Sequence, residues 1–297
     1  MKNRHVLDLL KLQGLVFVLS LTAIFGHLIT LPAVLIVLIR SLLASLIFWA
    51  IYAFRKERVP RKAFVHLLLI GGVLGLHWIC FFGSAKLSNV SVSLITLSLT
   101  AFFTSIIEPL SVGKRIQKFK VFVGLLASLG MSFIFFAMPD HAVGILVGLL
   151  AAVLSSVYTV ANKKLVSTHN SLSINTVELS GAFLICLFII PFVPNRAAIL
   201  SMPSMENLAY LFVLSVFCTV LPYLSMVNML KKFTAFTINL SLNMEPIYGI
   251  LLAWALFQEA EEFGWRFFTG LILILFSMFL NGQQKRFNKI FFRFRPM

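Results

Sequence analysis

The sequence predicts an all-α integral membrane protein: ten transmembrane helices in two inverted five-helix repeats (5+5). Three observations lead there. The first is composition, with 60% hydrophobic residues, 12% charged residues and a mean hydropathy of +0.98 over 297 residues. A soluble domain carries about a quarter charged residues, so a chain this poor in charge cannot cover a water-facing surface. The second is length: the apolar runs are each about 20 residues, which matches a hydrocarbon core roughly 30 Å thick. The third is the alternation of basic loops along the chain.

The spans follow in order, and each has a reason. Span 1 (12–30) is an apolar run with no persuasive cleavage site and many similar runs after it, so it is read as retained. Span 2 (33–54) opens after the breaker "TLPA" and contains Arg40. Span 3 (64–85) carries His77 and Trp78, and span 4 (89–112) ends on Glu108 and Pro109. Span 5 (119–138) stops at "MPDH", and span 6 (143–165) runs to Lys163 and Lys164. Span 7 (173–192) contains Glu178 and closes on "FVPNR". Span 8 (208–230) holds Tyr223 and Asn228, and span 9 (234–257) holds Asn239, Asn243, Glu245, Pro246 and Tyr248. Span 10 (263–282) precedes a tail, 285–297. No alternating ten-residue pattern suggests barrel strands. Helices therefore remain as the way to satisfy backbone groups in lipid.

The net charge of +15 is explained by where the cations lie. With the N-terminus inside, the inner segments hold all of the 25 basic residues except Arg40, Lys86, Arg196 and Arg266. This is the positive-inside rule. It places both termini in the cytoplasm of a multi-pass protein of the plasma (inner) membrane, and it leaves no case for a nucleic-acid partner. The tail "QQKRFNKIFFRFRPM" mixes cations with Phe, which suits an anionic leaflet. Cys80, Cys186 and Cys218 all fall within spans, so neither a disulfide framework nor a metal site is expected. No zinc pattern, nucleophile elbow, phosphate loop or intramembrane aspartate pair is present, so neither an enzyme nor a cofactor is expected.

An internal repeat sets the architecture. Residues 67–100 and 213–246 are each two spans joined by a very short polar link, and "TLSLT" in the first echoes "NLSLN" in the second. "FVGLLASLGMSFIF" likewise answers "FTGLILILFSMFLN". Five spans per half is an odd number, so the halves (1–139 and 140–284) insert in opposite orientations. Such repeats bind substrate near the midplane where they meet.

The stretch "NMEPIYGILLAWALFQEAEEFGWRFFTGLILILFSMFL" (243–280) resembles the closing helix pair of the drug/metabolite transporter superfamily, in its EamA-type branch. Pro246, Glu259 and Gly270 carry the likeness. The first-half counterpart (99–130) is similar but has Gly113 about where an acidic residue usually closes the span, and Arg40 in "IRSLLASLIF" resembles the family's second span. The resemblance implies an exporter or exchanger of small metabolites such as amino acids, without indicating which one.

The polar residues inside the spans define the expected site. Glu245 lies about 17 Å from either face at 1.5 Å per residue. A charge there costs about 2.5–3.5 kcal/mol on insertion scales, so it faces the bundle interior or a wet cavity. Pro246 has no N–H and deprives the Leu242 carbonyl of its helical partner. Arg40, roughly 10 Å below the outer face, either snorkels outward or reaches Glu245. Asn239, Asn243 and Tyr248 flank the acid. His77, Trp78, Tyr223 and Asn228 stand at similar positions in the two repeats and suit an organic solute, with ordinary core packing as the competing reading. Glu108 and Glu178, within about 8 Å of the inner face, are expected beside inner-loop cations or, with Pro246, in a gate. Gly71 with Gly75, and Gly144 with Gly148, form small-residue seams. The expected activity is secondary transport of a small polar metabolite, possible proton coupling included, by a monomer or homodimer. A channel and a flippase for lipid or lipid-linked sugar remain the alternatives on this scaffold.

Overall fold

Runs of Leu, Ile, Val and Phe close their own backbone hydrogen bonds, and the described apolar runs are accordingly helical. The computed structural model describes residues 2–55, 59–88, 90–134, 142–193, 203–257 and 265–284. The helices are α1 (Lys2–Leu28), α2 (Ala33–Arg55), α3 (Arg61–Leu87), α4 (Val90–Ser98), α5 (Thr100–Leu110), α6 (Lys118–Ile134) and α7 (Ala142–Leu165). They continue with α8 (Ser171–Ile189), α9 (Met205–Ser215), α10 (Leu221–Met229), α11 (Ala235–Leu242), α12 (Glu245–Phe257) and α13 (Trp265–Gly282). Among the described residues no strand occurs.

Eight helical stretches among the described residues are long and apolar enough to cross a membrane, against ten expected. The two outside that set correspond to spans 5 and 9. The first is α6, at 17 residues. The second is cut by a turn at Asn243 and Met244 into helices of 8 and 13 residues. In that turn Asn243 N–H and Met244 N–H reach back to Leu240 O (3.3 Å) and Ser241 O (3.1 Å). Pro246 then sits in the first turn of α12, where its missing N–H is tolerated. Span 4 has a similar tightening, with Leu99 N–H donating to Thr96 O at 3.2 Å between α4 and α5. Span 8 is continuous but passes through a wide π turn, Val216–Val220, between α9 and α10. The quoted loop "FVPNR" lies partly, and "MPDH", Glu259 and the basic tail wholly, outside the described residues.

The surface is inside out relative to a water-soluble protein. Phe54, Phe188, Leu69 and Leu146 are exposed, while Ser156, Thr104, Asn162 and Thr219 are buried. That is the expected arrangement when the surrounding solvent is hydrocarbon. Helix α3 packs on α7 and α8, while α9 and the π turn after it pack on α1 and α2, and α10 packs on α1. The pairs α2 with α8, α6 with α13, and α5 with α11 are also neighbours, as are α4 and α5 with α7, and α12 with α1.

Small residues permit the closest approaches. A Cβ on Gly71 would stand 1.9 Å from the Glu178 carbonyl oxygen, and one on Gly181 would stand 2.1 Å from that of Leu68. Gly75 meets Ala182 and Ile185 along the same α3–α8 seam. Gly144 and Gly148 face Ser88 and Thr96, so both glycine pairs read from the sequence lie at close contacts. Gly130 and Gly270 bring α6 against α13.

Candidate functional site

A cavity of about 120 Å³ opens between α1–α5, α7 and α10–α12. Free space on this scale admits several waters or a small polar solute. Arg40 and Glu245 both line it, brought there from opposite ends of the sequence.

Arg40 is 2% exposed, and its position is fixed by the π turn and α3. Its Nε donates to Thr219 Oγ1 at 2.7 Å, and its Nη2 donates to the Cys218 carbonyl at 3.3 Å. Pro222 explains why that carbonyl is available: the residue four positions on has no N–H to give it. The guanidinium lies over the Trp78 ring, 4.2 Å from its centroid, a distance at which cation and ring quadrupole attract. Tyr223 meets the same indole edge-on, with centroids 5.5 Å apart. Two of the five guanidinium N–H donors are thus used, and the others are left to the cavity side.

Glu245 opens α12 and makes no hydrogen bond or ion pair among the described residues. It interacts electrostatically with Arg40 across the cavity, but the two are not within the 4.0 Å of an ion pair. Arg40 is therefore directed inward, and its direct contacts are a hydroxyl, a carbonyl and an aromatic face. Four further polar atoms of wall residues lack partners among the described residues: Thr22 Oγ1, Thr100 Oγ1, Tyr158 Oη and Asn243 Nδ2. Thr100 and Asn243 come from the echoed segments "TLSLT" and "NLSLN".

His77 and Asn239 complete the polar wall. His77 Nδ1 lies 2.8 Å from the Ala151 carbonyl, which can only accept, so Nδ1 carries the proton. Asn239 Nδ2 donates to Thr104 Oγ1 at 2.7 Å, and its Oδ1 accepts from Thr159 at 3.2 Å, joining α11 to α5 and α7. Ser156 meets Thr104 at 2.9 Å.

The structure brings together Glu245, Arg40, Asn243, Asn239, His77, Trp78, Tyr223 and Pro246 around the cavity. It places four others elsewhere. Tyr248 turns to α1, where its hydroxyl donates to Gln13 Oε1 at 3.0 Å and its ring meets Phe17. Asn228 is exposed and accepts from Ser171 Oγ at 2.6 Å. Glu108 sits at the end of the bundle that carries the basic loops. Its Oε1 and Oε2 accept from Ala235 N–H (3.0 Å) and Phe236 N–H (3.3 Å), and Lys120 Nζ stands 3.7 Å away. It thus meets a cation in the first turn of α6 and also caps the positive end of α11. Glu178, expected beside the same loop cations, is fully buried and accepts from Asn162 Nδ2 at 3.2 Å instead.

Around Glu108, further bonds tie this end. Lys164 Nζ donates to the Ser111 carbonyl at 2.6 Å, and Lys163 Nζ donates to the carbonyls of Leu230 and Phe233. Lys232 pairs with Asp8.

Sequence reasoning missed Thr219, the Cys218 carbonyl, Thr100, Thr159 and Tyr158. Pro222 was a legible signal for the freed carbonyl; the hydroxyls carry no local mark that separates a cavity wall from packing.

Comparison with known proteins decides the class. The EamA-like transporter family profile matches residues 142–283. The Pseudopaline exporter CntI of Pseudomonas aeruginosa, from strains UCBPP-PA14 and PAO1, is 30% identical over 192 residues, covering 61% of this chain and 67% of the relative. The chain belongs to the EamA-like transporter family. It is a multi-pass membrane transporter, and a solved crystal structure shares its fold with a TM-score of 0.74 over 94% of this chain and 98% of the other. At 18% identity that likeness speaks for the fold alone.

Proposed function

We propose that this transporter is a secondary carrier that exports or exchanges a small zwitterionic metabolite, such as an amino acid, by alternating access. The observation that carries the proposal is the separation of Arg40 and Glu245 across one cavity, each facing it and neither paired with the other. A substrate carboxylate takes the free guanidinium donors of Arg40, and a substrate ammonium takes the Glu245 carboxylate. Trp78 and Tyr223 cover the organic part, with Asn243 Nδ2 and Thr100 Oγ1 as further polar contacts. The relative named an exporter supports the direction.

Two inverted halves, 1–139 and 140–284, supply the motion. The neighbour pattern supports this: exchanging each span for the one five places on turns α3 on α7 and α8 into α9–α10 on α1 and α2, and leaves the pairing of α2 with α8 unchanged. The tight turns in spans 4 and 9 fall on the echoed segments and support it too. In this reading both termini and the basic end face the cytoplasm of a plasma (inner) membrane. Glu108 on the α11 N-terminus, Lys164 on Ser111 and Lys232 on Asp8 then latch the cytoplasmic side shut, and the Asn243–Pro246 turn is the hinge.

The test is counterflow of a panel of radiolabelled amino acids in proteoliposomes. Saturable trans-stimulated uptake is expected, whereas a channel gives none. Glu245→Gln should abolish or uncouple it with membrane insertion intact; full activity in that variant rejects the site.

A further inference from the structure

A second carboxyl lies deep in the bundle, outside the cavity wall. Glu178 in α8 is 0% exposed. Its backbone carbonyl fills the gap left by Gly71 on α3, so its Cα position is fixed to within the width of a missing methyl group. The Oε2 atom accepts from Asn162 Nδ2 at 3.2 Å, while Oε1 has no hydrogen-bond partner among the described residues.

No cation lies within ion-pair distance of this carboxyl among the described residues. The titratable groups that sense it are Tyr158 from α7 and Tyr223 from α10. From α3, Gly71 meets the backbone of Glu178, and α2 meets the adjoining turn of α8 through Ser45 and Trp49 on Ser180. A buried charge with one amide donor and no counter-ion is expensive. The same position suits a carboxyl that takes up a proton and gives it back.

Tyr158 provides the path. Its side chain lines the cavity, and its hydroxyl interacts with the Glu178 carboxyl but falls short of hydrogen-bond geometry. Both the Tyr158 hydroxyl and Glu178 Oε1 are buried and lack another hydrogen-bond partner among the described residues. The Tyr158 side chain thus runs from the cavity wall to the buried acid, with its hydroxyl enclosed between them.

We infer that Glu178 is a proton-binding site that exchanges with the cavity through the Tyr158 hydroxyl, separate from the Glu245 site. The proton enters from cavity water, passes through the Tyr158 O–H to a Glu178 oxygen, and returns by the same route, with no change of bonding elsewhere. In the carrier proposed above this site would link substrate movement to a proton. The inference goes beyond that reading, and the test reads the proton directly without substrate.

The test is infrared difference spectroscopy of the purified full-length protein in lipid, with buffer changes between mildly acidic and alkaline pH and between H2O and D2O. A neutral-carboxyl C=O band is expected that disappears in Glu178→Gln and persists in Glu245→Gln. That band should shift in D2O, and Tyr158→Phe should keep it while slowing the shift severalfold. If Glu178→Gln does not accumulate folded protein, the Tyr158→Phe kinetics alone decide. An unchanged spectrum in Glu178→Gln, or an exchange rate that Tyr158→Phe leaves untouched, overturns the inference. Either result leaves counterflow and the Glu245 assignment standing.

Discussion

Gly71→Ala is the sharpest perturbation of the packing described here. The added Cβ would stand 1.9 Å from the Glu178 oxygen and 2.5 and 2.6 Å from that residue's C and Cα. A carbon and a carbonyl oxygen approach to about 3.3 Å at closest, so α3 and α8 must part by roughly 1.4 Å at the crossing. A gap of about 0.5–1 Å already forfeits a quarter to a half of each contact's attraction. In a bilayer that attraction is much of what holds helices together. A loss of about 3 kcal/mol follows, at the upper end of ordinary overpacking. Denaturant or thermal unfolding in detergent would read it. Gly72→Ala is the internal control, because nothing lies within 4 Å of its Cβ position. That change should be neutral or stabilising by up to about 1 kcal/mol through helix propensity. Equal stability of the two variants would refute the seam.

Three further outcomes are expected. Arg40→Lys keeps the charge but loses the planar stack on Trp78 and one of its two bonds, about 2 kcal/mol or roughly thirtyfold in affinity, read as a raised KM for counterflow. Asn239→Leu removes two bonds between helices while Thr104 and Thr159 keep their backbone acceptors, so it should cost only about 1 kcal/mol of stability in the same unfolding assay. Glu108→Gln halves the α11 cap and frees Lys120, a shift of about 1–2 kcal/mol toward opening of the basic end. Labelling of Val227→Cys by an impermeant maleimide from that side should then rise about tenfold, and an unchanged rate would dismiss the latch.

What the sequence makes legible is whatever repeats or is costly. Apolar length locates the helices, and Glu245, Arg40 and Pro246 stand out because charge and imide are expensive in hydrocarbon. The echo of "TLSLT" in "NLSLN" locates two turns in the structure. Partnership is less legible. Arg40 has its direct contacts at Thr219, Cys218 and Trp78 because a π turn and Pro222 present groups that no one-dimensional spacing encodes. Tyr248 shares a helical face with Glu245 on paper, yet it follows α1 because Gln13 offers its hydroxyl a partner. Glu178 looked interfacial by depth alone; the close approach at Gly71 and Gly181 encloses it.

The backbone-to-backbone approach of α3 and α8 has a mechanical consequence. These helices belong to different halves of the chain, yet neither can slide by an ångström without driving a carbonyl into its neighbour. In the carrier proposed above, rocking between the two proposed halves would turn about this line as an axle, still at its centre and widest at the far rims. The parts free to swing are those built with slack: the kinked fourth and ninth spans and the over-wide turn beside Arg40.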